Sequence, residues 1–466
     1  MNIDKLNKRA LKMARDLQTA KSSMGLSLAL SAVHFKMASI ASQLSIRVDT
    51  RAGFGSAVSN FYGLALSSSG AGKSVGVSLL DNFYFKDAFD YMKKEVYPRF
   101  KAKAVAELES EGIERQLHTW TPKLSNATLS GLYAYGESYY LSKIGGINIQ
   151  IDEVGDAVTT KADLFDMLLE CYNNGDFPAQ AKRSDANALD IDGISVNLYA
   201  FGDPTKLTSG DNVEIAFQHM LKTGYARRFV FCKDDSVEQD RTPEEIVDEM
   251  MASELIKSKR EDDRNYIKSL INKNNIKKTL PLTDKGLYYF ARIQGEGEKY
   301  VRENKGLEDA VKSDMLNRAF KLVKLASVYA FFDGKDEVDV ESLEEAMEII
   351  RESSIVLKSI TKIKPLHERL LDRMLMEENP ATSQHMLGYP FIPSTWSKKV
   401  VEIIDLAKEL SSEKGYIWKE ASKSGVIYYS VKEKDKETED ILSKVDKQEK
   451  EELSKAQMKL LESLYD

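Results

Sequence analysis

The stretch FYGLALSSSGAGKSVGV, residues 61–77, decides the fold. Phe61–Leu66 is a hydrophobic run followed by small polar residues, which predicts a short buried strand. The chain then turns through Ser67–Gly72, where glycines without a Cβ allow backbone N–H groups to point inward. A helix that begins at Lys73 directs the positive end of its dipole at the same point. The stretch therefore predicts a backbone cradle for an anion.

A lysine and a serine at the start of the helix give this cradle a specific chemistry. In the P-loop pattern G-x-x-x-x-G-K-[ST], the lysine reaches the β- and γ-phosphates of a nucleotide and the hydroxyl ligates Mg²⁺. The pattern's first glycine is Ser67 here, a small residue that still permits the turn. The alternative is a serine- and glycine-rich loop that joins two core elements. The predicted ATP-binding residues of the loop are Ser67, Gly70, Ala71, Gly72, Lys73 and Ser74, and Ser74 is also a predicted Mg²⁺ ligand.

Composition limits the class of protein. The chain has 466 residues, enough for about two to four domains. Its net charge of −7 provides no global basic field for nucleic acids, so DNA binding would need a local patch or an assembled pore. Cys171 and Cys232 are its only cysteines, which argues against a disulfide framework or a cysteine zinc site. With no apolar run near about eighteen residues, the sequence predicts a soluble, cytoplasmic protein.

Two adjacent carboxylates follow another predicted strand. Isoleucines alternate with polar residues in GGINIQIDEVGD, and the run ends at Asp152 and Glu153. In P-loop ATPases one acid at a strand tip holds the Mg²⁺ shell and a second deprotonates the attacking water. We predict the first role for Asp152 and the second for Glu153; the alternative is an ordinary acidic strand end on the surface. Because the predicted catalytic acid directly follows the predicted Mg²⁺ acid, the sequence favours a ring-forming core over a RecA-type core. In a RecA-type core the catalytic acid would end the strand predicted at Leu117–Pro122.

Two further segments carry candidate residues. The predicted strand in ISVNLYAFGDPTKL ends at Gly202, and Asp203 is predicted to sense the γ-phosphate together with Thr205. The segment KTGYARRFVFCKDD places Arg227 and Arg228 directly before another strand. In ring ATPases an arginine from a neighbouring subunit stabilises the charge of the transition state. One arginine of the pair is predicted to do so, and a surface or ion-pair role is the alternative.

The rest of the chain is largely helical. Residues 281–365 have the periodicity of an α-helical bundle. Beyond Pro365, a helix, a turn, a helix and two short strands form the pattern of a winged helix, which binds either DNA or protein. The predicted division is an N-terminal helical region (1–50), a P-loop ATPase core (51–243), a helical lid (244–365), a winged-helix-like domain (366–432) and a charged helical or disordered tail (433–466).

The order of these segments resembles the P-loop ATPases found beside or fused to primases in phages, plasmids and other mobile elements, which are of the AAA+ or superfamily 3-like kind. The likeness covers residues 50–355. It rests on NFYGLALSSSGAGKS, NATLSGLYAYG followed by GGINIQIDEVGD, LLECYNNGDF with LYAFGDPTKL, GYARRFVF, and LNRAFKLVKLASVYA. The resemblance implies an α/β P-loop NTPase core with a C-terminal helical lid.

The resemblance also assigns residues. Arg227 or Arg228 falls where the family has a G-x-x-x-R-F-type arginine, and Arg318 falls on the arginine of the helical domain that senses nucleotide from above the site. The sequence departs from the family at Ser67, and at Gly202 and Asp203, where a Thr/Gln-like pair is more usual. These departures affect the sensor assignment more than the ATPase activity.

The implied function is that of an ATP-driven replicative DNA helicase, or a helicase-like motor. It would act as a hexameric ring on single-stranded or forked DNA with ATP and Mg²⁺, in the host cytoplasm if phage-encoded, beside a primase or other replication proteins. One alternative is a helicase loader or adaptor for which ATP is only an assembly switch. Another is a small-molecule P-loop kinase.

Overall fold

The computed structural model describes residues 1–51, 55–68, 72–125, 127–177, 190–207, 212–234, 241–361, 366–377, 379–389, 392, 399–423 and 426–433. The chain divides into two compact units, Met1–Lys362 and Ile363–Asp466. Within the described ranges, the helices are all too short or too polar to cross a membrane.

The strands of the first unit form two sheets. They are β1 (Arg47–Asp49), β2 (Ser56–Val58), β3 (Tyr62–Leu66), β4 (Leu124–Ser125), β5 (Ile147–Ile151), β6 (Val196–Gly202), β7 (Phe229–Lys233) and β8 (Thr279–Pro281). A small sheet has the order β2-β1-β8, and a five-stranded sheet has the order β4-β5-β6-β3-β7. All neighbours in the larger sheet are parallel, which confirms an α/β architecture for this unit.

Fifteen α-helices are described in the first unit. They are α1 (Lys8–Ala20), α2 (Leu26–Gln43), α3 (Lys73–Leu80), α4 (Lys86–Tyr91), α5 (Tyr97–Ser110), α6 (Leu129–Ser142), α7 (Val154–Thr160), α8 (Ala162–Asn174), α9 (Pro204–Leu207), α10 (Asn212–Met220), α11 (Pro243–Lys259), α12 (Glu261–Ser269), α13 (Asp284–Glu303), α14 (Asp309–Phe332) and α15 (Val340–Thr361). Helices α1 and α2 lie within residues 1–50, the region that the sequence predicts to be helical. Helix α2 is almost wholly buried and packs against β3, β5, β6 and β7.

The position of β3 determines where its loop lies. The strand is buried along its whole length between β6 and β7, as is typical of parallel sheets covered on both faces. Its last residue, Leu66, pairs with Gly202 of β6 and Lys233 of β7. Because parallel strands share their direction, the loops that follow β3, β6 and β7 leave the sheet at one edge.

Strand β5 has the bounds that its alternating pattern predicts, but its polar residues are buried too. Asn148 is 1% exposed. Its Nδ2 donates to the Pro122 carbonyl oxygen (2.9 Å), while its Oδ1 accepts from Asn197 Nδ2 (2.8 Å) and Ser42 Oγ (3.1 Å). Because these buried polar atoms have partners, the polar side chains of the strand are tolerated in the core.

The prediction of a strand at Leu117–Pro122 is wrong. This segment has no strand partner, and β4 is only the two residues after Lys123. Side chains satisfy its backbone instead: Lys101 Nζ donates to the Leu117 carbonyl oxygen (2.6 Å), and the His118 N–H donates to Ser138 Oγ (2.9 Å). Backbone groups that are bonded to side chains are not available for a β-ladder.

The helix that starts after the β3 loop is unusually long. Helices α3, α4 and α5 are continuous through π-helical turns at Asp81–Phe85 and Met92–Val96. At about 1.5 Å per residue, residues 73–110 extend over as much as roughly 57 Å. Pro98 follows the second turn and has no N–H to donate to the preceding turn of helix, so a local change of hydrogen-bond register is expected there.

Helices α13, α14 and α15 pack on one another, and α14 also contacts the sheet. Lys321 of α14 is buried, forms an ion pair with Asp314, and donates to the Phe229 carbonyl oxygen (2.9 Å) at the start of β7. Ser354 Oγ of α15 donates to the other oxygen of Asp314 (2.6 Å). The division of this unit into N-terminal region, core and lid stays a prediction.

The second unit contains helices and an antiparallel sheet. The described elements are α16 (Leu366–Met376), β9 (Ala381–Thr382), α17 (Ser383–Met386), α18 (Lys399–Glu413), β10 (Tyr416–Lys423) and β11 (Val426–Glu433). The sheet order is β10-β11-β9, so a short strand, β9, joins the two that the sequence predicts. A winged-helix identity stays a prediction. The predicted tail lies outside the described residues except for the end of β11.

We expect Gly146→Ala to destabilise the protein by about 2 kcal/mol or more, because a tightly packed site would have to accept an added methyl group. A Cβ at Gly146 would lie 2.5 Å from the Ser42 carbonyl oxygen and 3.0 Å from that of Ser195, and neither backbone atom can move freely. Gly295 of α13 has no neighbour within 4 Å of its Cβ position. The control Gly295→Ala should stabilise by about 0.5–1 kcal/mol. Urea unfolding of both variants tests this, and equal stabilities would contradict it.

The buried imidazole of His34 predicts a pH dependence of stability. Its Nε2 shares a hydrogen bond with Tyr329 Oη (2.6 Å), its Nδ1 is buried without a partner, and burial lowers its pKa from 6.5 to about 3. Below pH 6.5 the unfolded chain binds a proton that the folded protein does not. The free energy of unfolding should therefore fall by up to about 1.4 kcal/mol per pH unit between pH 6.5 and pH 3.

Denaturant unfolding between pH 7 and pH 4 checks this expectation. His34→Gln should have a shallower slope than the wild type, whereas the exposed His385→Gln should keep the wild-type slope. Identical slopes for all three proteins would show that His34 does not titrate in this way.

Candidate functional site

The loop after β3 has the backbone geometry of a turn into a helix. The Ser67 N–H donates to the Gly202 carbonyl oxygen (3.1 Å), so the loop starts beside the end of β6. Gly72 has φ 77°, a left-handed conformation that favours glycine, and α3 begins at Lys73. Of the predicted ATP-binding residues, Gly70 and Ala71 lie outside the described residues.

The Lys73 ammonium and the Ser67 hydroxyl are directed into this loop. Lys73 Nζ donates to the carbonyl oxygens of Ser67 (2.6 Å) and Ser68 (3.1 Å). Among the described residues, none hydrogen-bonds to the buried Ser67 hydroxyl, and none caps the amino end of α3 through its side chain. Ser74 is exposed in the first turn of that helix. A free helix amino end beside a lysine and an unpaired buried hydroxyl is chemically suited to a phosphate.

The two predicted acids lie directly after β5, on the same edge of the sheet. Asp152 is exposed, and its Oδ1 accepts from Gln150 Nε2 (2.7 Å). Glu153 is the N-cap residue of α7, and its carboxylate also forms an ion pair with Lys206 Nζ (3.4 Å). One strand, β6, lies between β5 and β3. A water or phosphate between the two loops would therefore lie at the edge of the sheet that carries both acids.

Asp203 follows β6 and thus lies between the loop and the acids. Its Oδ1 accepts from the Thr205 N–H (2.9 Å) and the Thr205 hydroxyl (2.6 Å). Burial opposes ionisation, but the Thr205 hydrogen bonds and the nearby charges of Lys73 and Lys206 hold the pKa of Asp203 below its usual value. An ionised carboxylate cannot donate a hydrogen bond to a phosphate. This position therefore suits an acid that interacts electrostatically with Lys73 better than a γ-phosphate sensor.

Electrostatic coupling supports the grouping of these side chains. Burial lowers the pKa of Lys73, and the carboxylates of Asp203 and Glu153 partly oppose that shift. Lys73 and Lys206 thus share one polar edge with three acids. Mg²⁺ at phosphate sites is typically held by one or two protein oxygens, with phosphate and water supplying the rest. Ser74 and Asp152 are the chemically suitable oxygens at this edge.

The predicted arginines lie elsewhere. Arg227 and Arg228 precede β7, at the amino-terminal edge of the sheet, whereas Lys73 follows the carboxyl end of β3. A five-residue strand is about 17 Å long, so each arginine is far from the Lys73 loop of its own chain. Arg227 is exposed, but Arg228 is only 8% exposed and donates through Nη1 to the Gly224 carbonyl oxygen (3.1 Å).

Arg318 groups with these arginines and not with Lys73. It lies one turn before Lys321, which contacts the start of β7, and its Nε is buried without a partner. Its charge also lowers the pKa of Lys321, although burial is the largest cause of that shift. The structure therefore does not bring Arg318 to the edge that carries the acids.

Several neighbours of the site were not predicted from the sequence. Lys206 could have been found from its place just after the Asp203 turn. Lys21 has no such local signal: its Cε lies 3.1 Å from the position that a Cβ on Gly72 would occupy. Asp234, after β7, accepts from the Gly25 N–H (2.7 Å) and fixes the start of α2 beside the loop. Tertiary packing alone brings Lys21 and Asp234 to the site.

Comparison with known proteins does not add an assignment. The sequence matches no protein-family model. It also matches no curated protein.

Proposed function

We propose that this chain is a Mg²⁺-dependent ATPase of the P-loop class. The observation that carries the proposal is the convergence of the Lys73 loop, Asp203 and the Asp152–Glu153 pair on the carboxyl edge of three neighbouring parallel strands. This edge is where open α/β sheets bind their ligands. Lysine, a helix amino end and paired acids are the groups that phosphoryl transfer requires.

The roles follow from the chemistry of each side chain. Lys73, Gly72 and the amino end of α3 would bind the phosphates, with Ser67, Gly70 and Ala71 in the loop. Ser74 and Asp152 would hold Mg²⁺, which would neutralise phosphate charge. Glu153 would orient the attacking water and accept its proton, and Lys206 would position that carboxylate. The charge of Asp203 would help to keep Lys73 protonated.

A ring of subunits, most simply a hexamer, is the second part of the proposal. Arg227 is exposed and distant from the Lys73 loop of its own chain, so it is suited to completing the site of a neighbour. Arg228 is buried and holds the Gly224 turn, which favours a positioning role. The nucleotide-sensing role of Arg318 would likewise require a neighbouring subunit.

The proposed work of the ring is that of a replicative DNA helicase of a phage or mobile element. This part rests on the sequence resemblance, which also suggests an AAA+ or superfamily 3-like core, a helical lid, a winged-helix domain, a cytoplasmic location and a primase partner. Single-stranded DNA would pass through a pore lined by a few lysines and arginines, since counterion release depends on the charges that face the strand.

The test combines ATP turnover with fork unwinding. We expect single-stranded DNA to stimulate hydrolysis by the wild type, and we expect a forked duplex to separate only with hydrolysable ATP. Lys73→Ala should do neither. Active hydrolysis without unwinding of either fork polarity would favour the loader, stimulation by a metabolite instead of DNA would favour the kinase, and no ATP turnover under any condition would contradict the proposal.

A further inference from the structure

A small cavity lies at the amino-terminal edge of the sheet, opposite the Lys73 loop. Its volume is about 220 Å³. The residues that line it include Tyr172, Arg227, Arg228, Asn317 and Lys324. None of its described lining residues is acidic. The cavity thus combines three cationic side chains with neutral surroundings.

The two guanidinium groups converge although they repel each other. A Cβ built on Gly224 would lie 2.7 Å from Arg228 Nη1, 3.5 Å from Arg227 Nε and 3.7 Å from Arg227 Nη2. Arg228 is 8% exposed, its Nε is buried without a partner, and its guanidinium lies 5.6 Å from the centre of the Tyr172 ring. Burial lowers the pKa of Arg228, and Arg227 lowers it further.

Lys324 adds a third basic group beside the arginines. It is 1% exposed, and its ammonium donates only to neutral oxygens, among them the carbonyls of Val58 (2.7 Å) and Tyr172 (2.8 Å) and Asn60 Oδ1 (2.9 Å). Among the described residues, none supplies a carboxylate to this ammonium. Burial lowers the pKa of Lys324 strongly, and the charges of Arg47 and Arg228 lower it further.

The buried Arg228 guanidinium lies beside a second guanidinium, and no described residue that lines the cavity supplies a counter-ion. Such an arrangement is costly, and a bound anion removes much of that cost. Guanidinium forks match the oxygen geometry of phosphate, and several positive groups favour a multiply charged anion over a single carboxylate. The cavity is partly open to solvent and has a volume of about 220 Å³. It exceeds the volume of about seven waters at ~30 Å³ each, enough for one tetrahedral oxyanion.

We propose that this cavity is a second anion site, which binds one phosphate-class oxyanion through Arg227 and Arg228. The site is separate from the Lys73 loop, and its existence does not depend on ATP hydrolysis. The oxyanion is free inorganic phosphate, which would bind within a single subunit. This binding differs from the proposed contact of Arg227 with a neighbour's ATP.

The experiment uses full-length Lys73→Ala protein, in which phosphate binding at the P-loop is weakened. Inorganic phosphate, compared with chloride at equal ionic strength, should raise the melting temperature and slow hydrogen exchange in peptides that cover 172–174 and 224–228. Adding Arg227→Gln should weaken phosphate binding about tenfold, because one charge-assisted hydrogen bond is lost. The matched control Arg99→Gln alters another exposed arginine, distant from the cavity, and should change nothing.

A second arm separates this site from the trans-acting role of Arg227. Isotope-labelled Lys73→Ala subunits are mixed with ATP-loaded Glu153→Gln subunits, and exchange is followed only in the labelled chain. Protection by phosphate alone supports the proposed site, whereas protection that appears only with the ATP-loaded copies overturns it and indicates the trans-acting role instead. Protection in neither arm, or protection that both Arg227→Gln and Arg228→Lys leave unchanged, overturns the proposal. Because Arg227 is exposed, its variant should fold even if changes at buried Arg228 do not. Wild-type ATP turnover is scored separately, so either proposal can fail without the other.

Discussion

Glu153→Gln should reduce ATP turnover by about 10²–10⁴-fold while leaving ATP binding nearly unchanged, because a positioned general base contributes about that factor. The amide keeps the size of the side chain but cannot accept the proton of the attacking water. The Lys73 loop and Ser74 are untouched, so the phosphate cradle remains. Steady-state hydrolysis and equilibrium binding of a fluorescent ATP analogue give the two quantities.

Asp156→Asn is the matched control for this variant. Asp156 is another exposed acid, in the first turn of α7, three residues after Glu153. It should retain wild-type turnover. Undiminished turnover in Glu153→Gln would remove that residue from the mechanism. Loss of ATP binding in the same variant would instead indicate that Glu153 supports the site structurally through Lys206.

Arg227→Ala should reduce ATP turnover by about 10³–10⁵-fold if the arginine completes a neighbour's site, as trans-acting arginines do in P-loop enzymes. Lys73→Ala should be inactive for a different reason, since it cannot hold its own nucleotide. Each variant keeps the half-site that the other lacks. An equal mixture should therefore regain about a quarter of wild-type activity. In a randomly assembled ring, about a quarter of the head-to-tail interfaces pair an intact Lys73 half with an intact Arg227 half.

Three results would contradict this prediction. They are a mixture no more active than its separate components, full activity of Arg227→Ala alone, and a wild type that turns over ATP fully as a monomer in sedimentation. The exposed Arg99→Ala serves as the control for removal of a surface guanidinium. Repeating the mixture with Arg228→Ala tests whether the buried arginine only positions the turn that carries Arg227.

Local pattern predicted the strands and the loop that define the candidate site. A short apolar run was enough to predict β3, the strand before the loop. Alternation of apolar and polar residues that ends in two acids was enough to predict β5. Both patterns depend on neighbouring residues along the chain, so sequence reasoning reaches them. The segment at Leu117–Pro122 has similar local content, yet it forms no strand, since side chains from distant helices bond its backbone.

The sequence by itself determined which groups are available for phosphate chemistry and where each stands relative to a strand or a helix start: Lys73, Ser74, Asp152 and Glu153. Only the tertiary structure decided which of them meet. The strand order places Asp203 between the loop and the acids. The arginines lie at the opposite edge of the sheet, one strand length away from Lys73. Burial then distinguishes Arg227 from Arg228, which are equivalent in the sequence. Strand order and burial are set by contacts between distant residues, and no local pattern encodes those contacts.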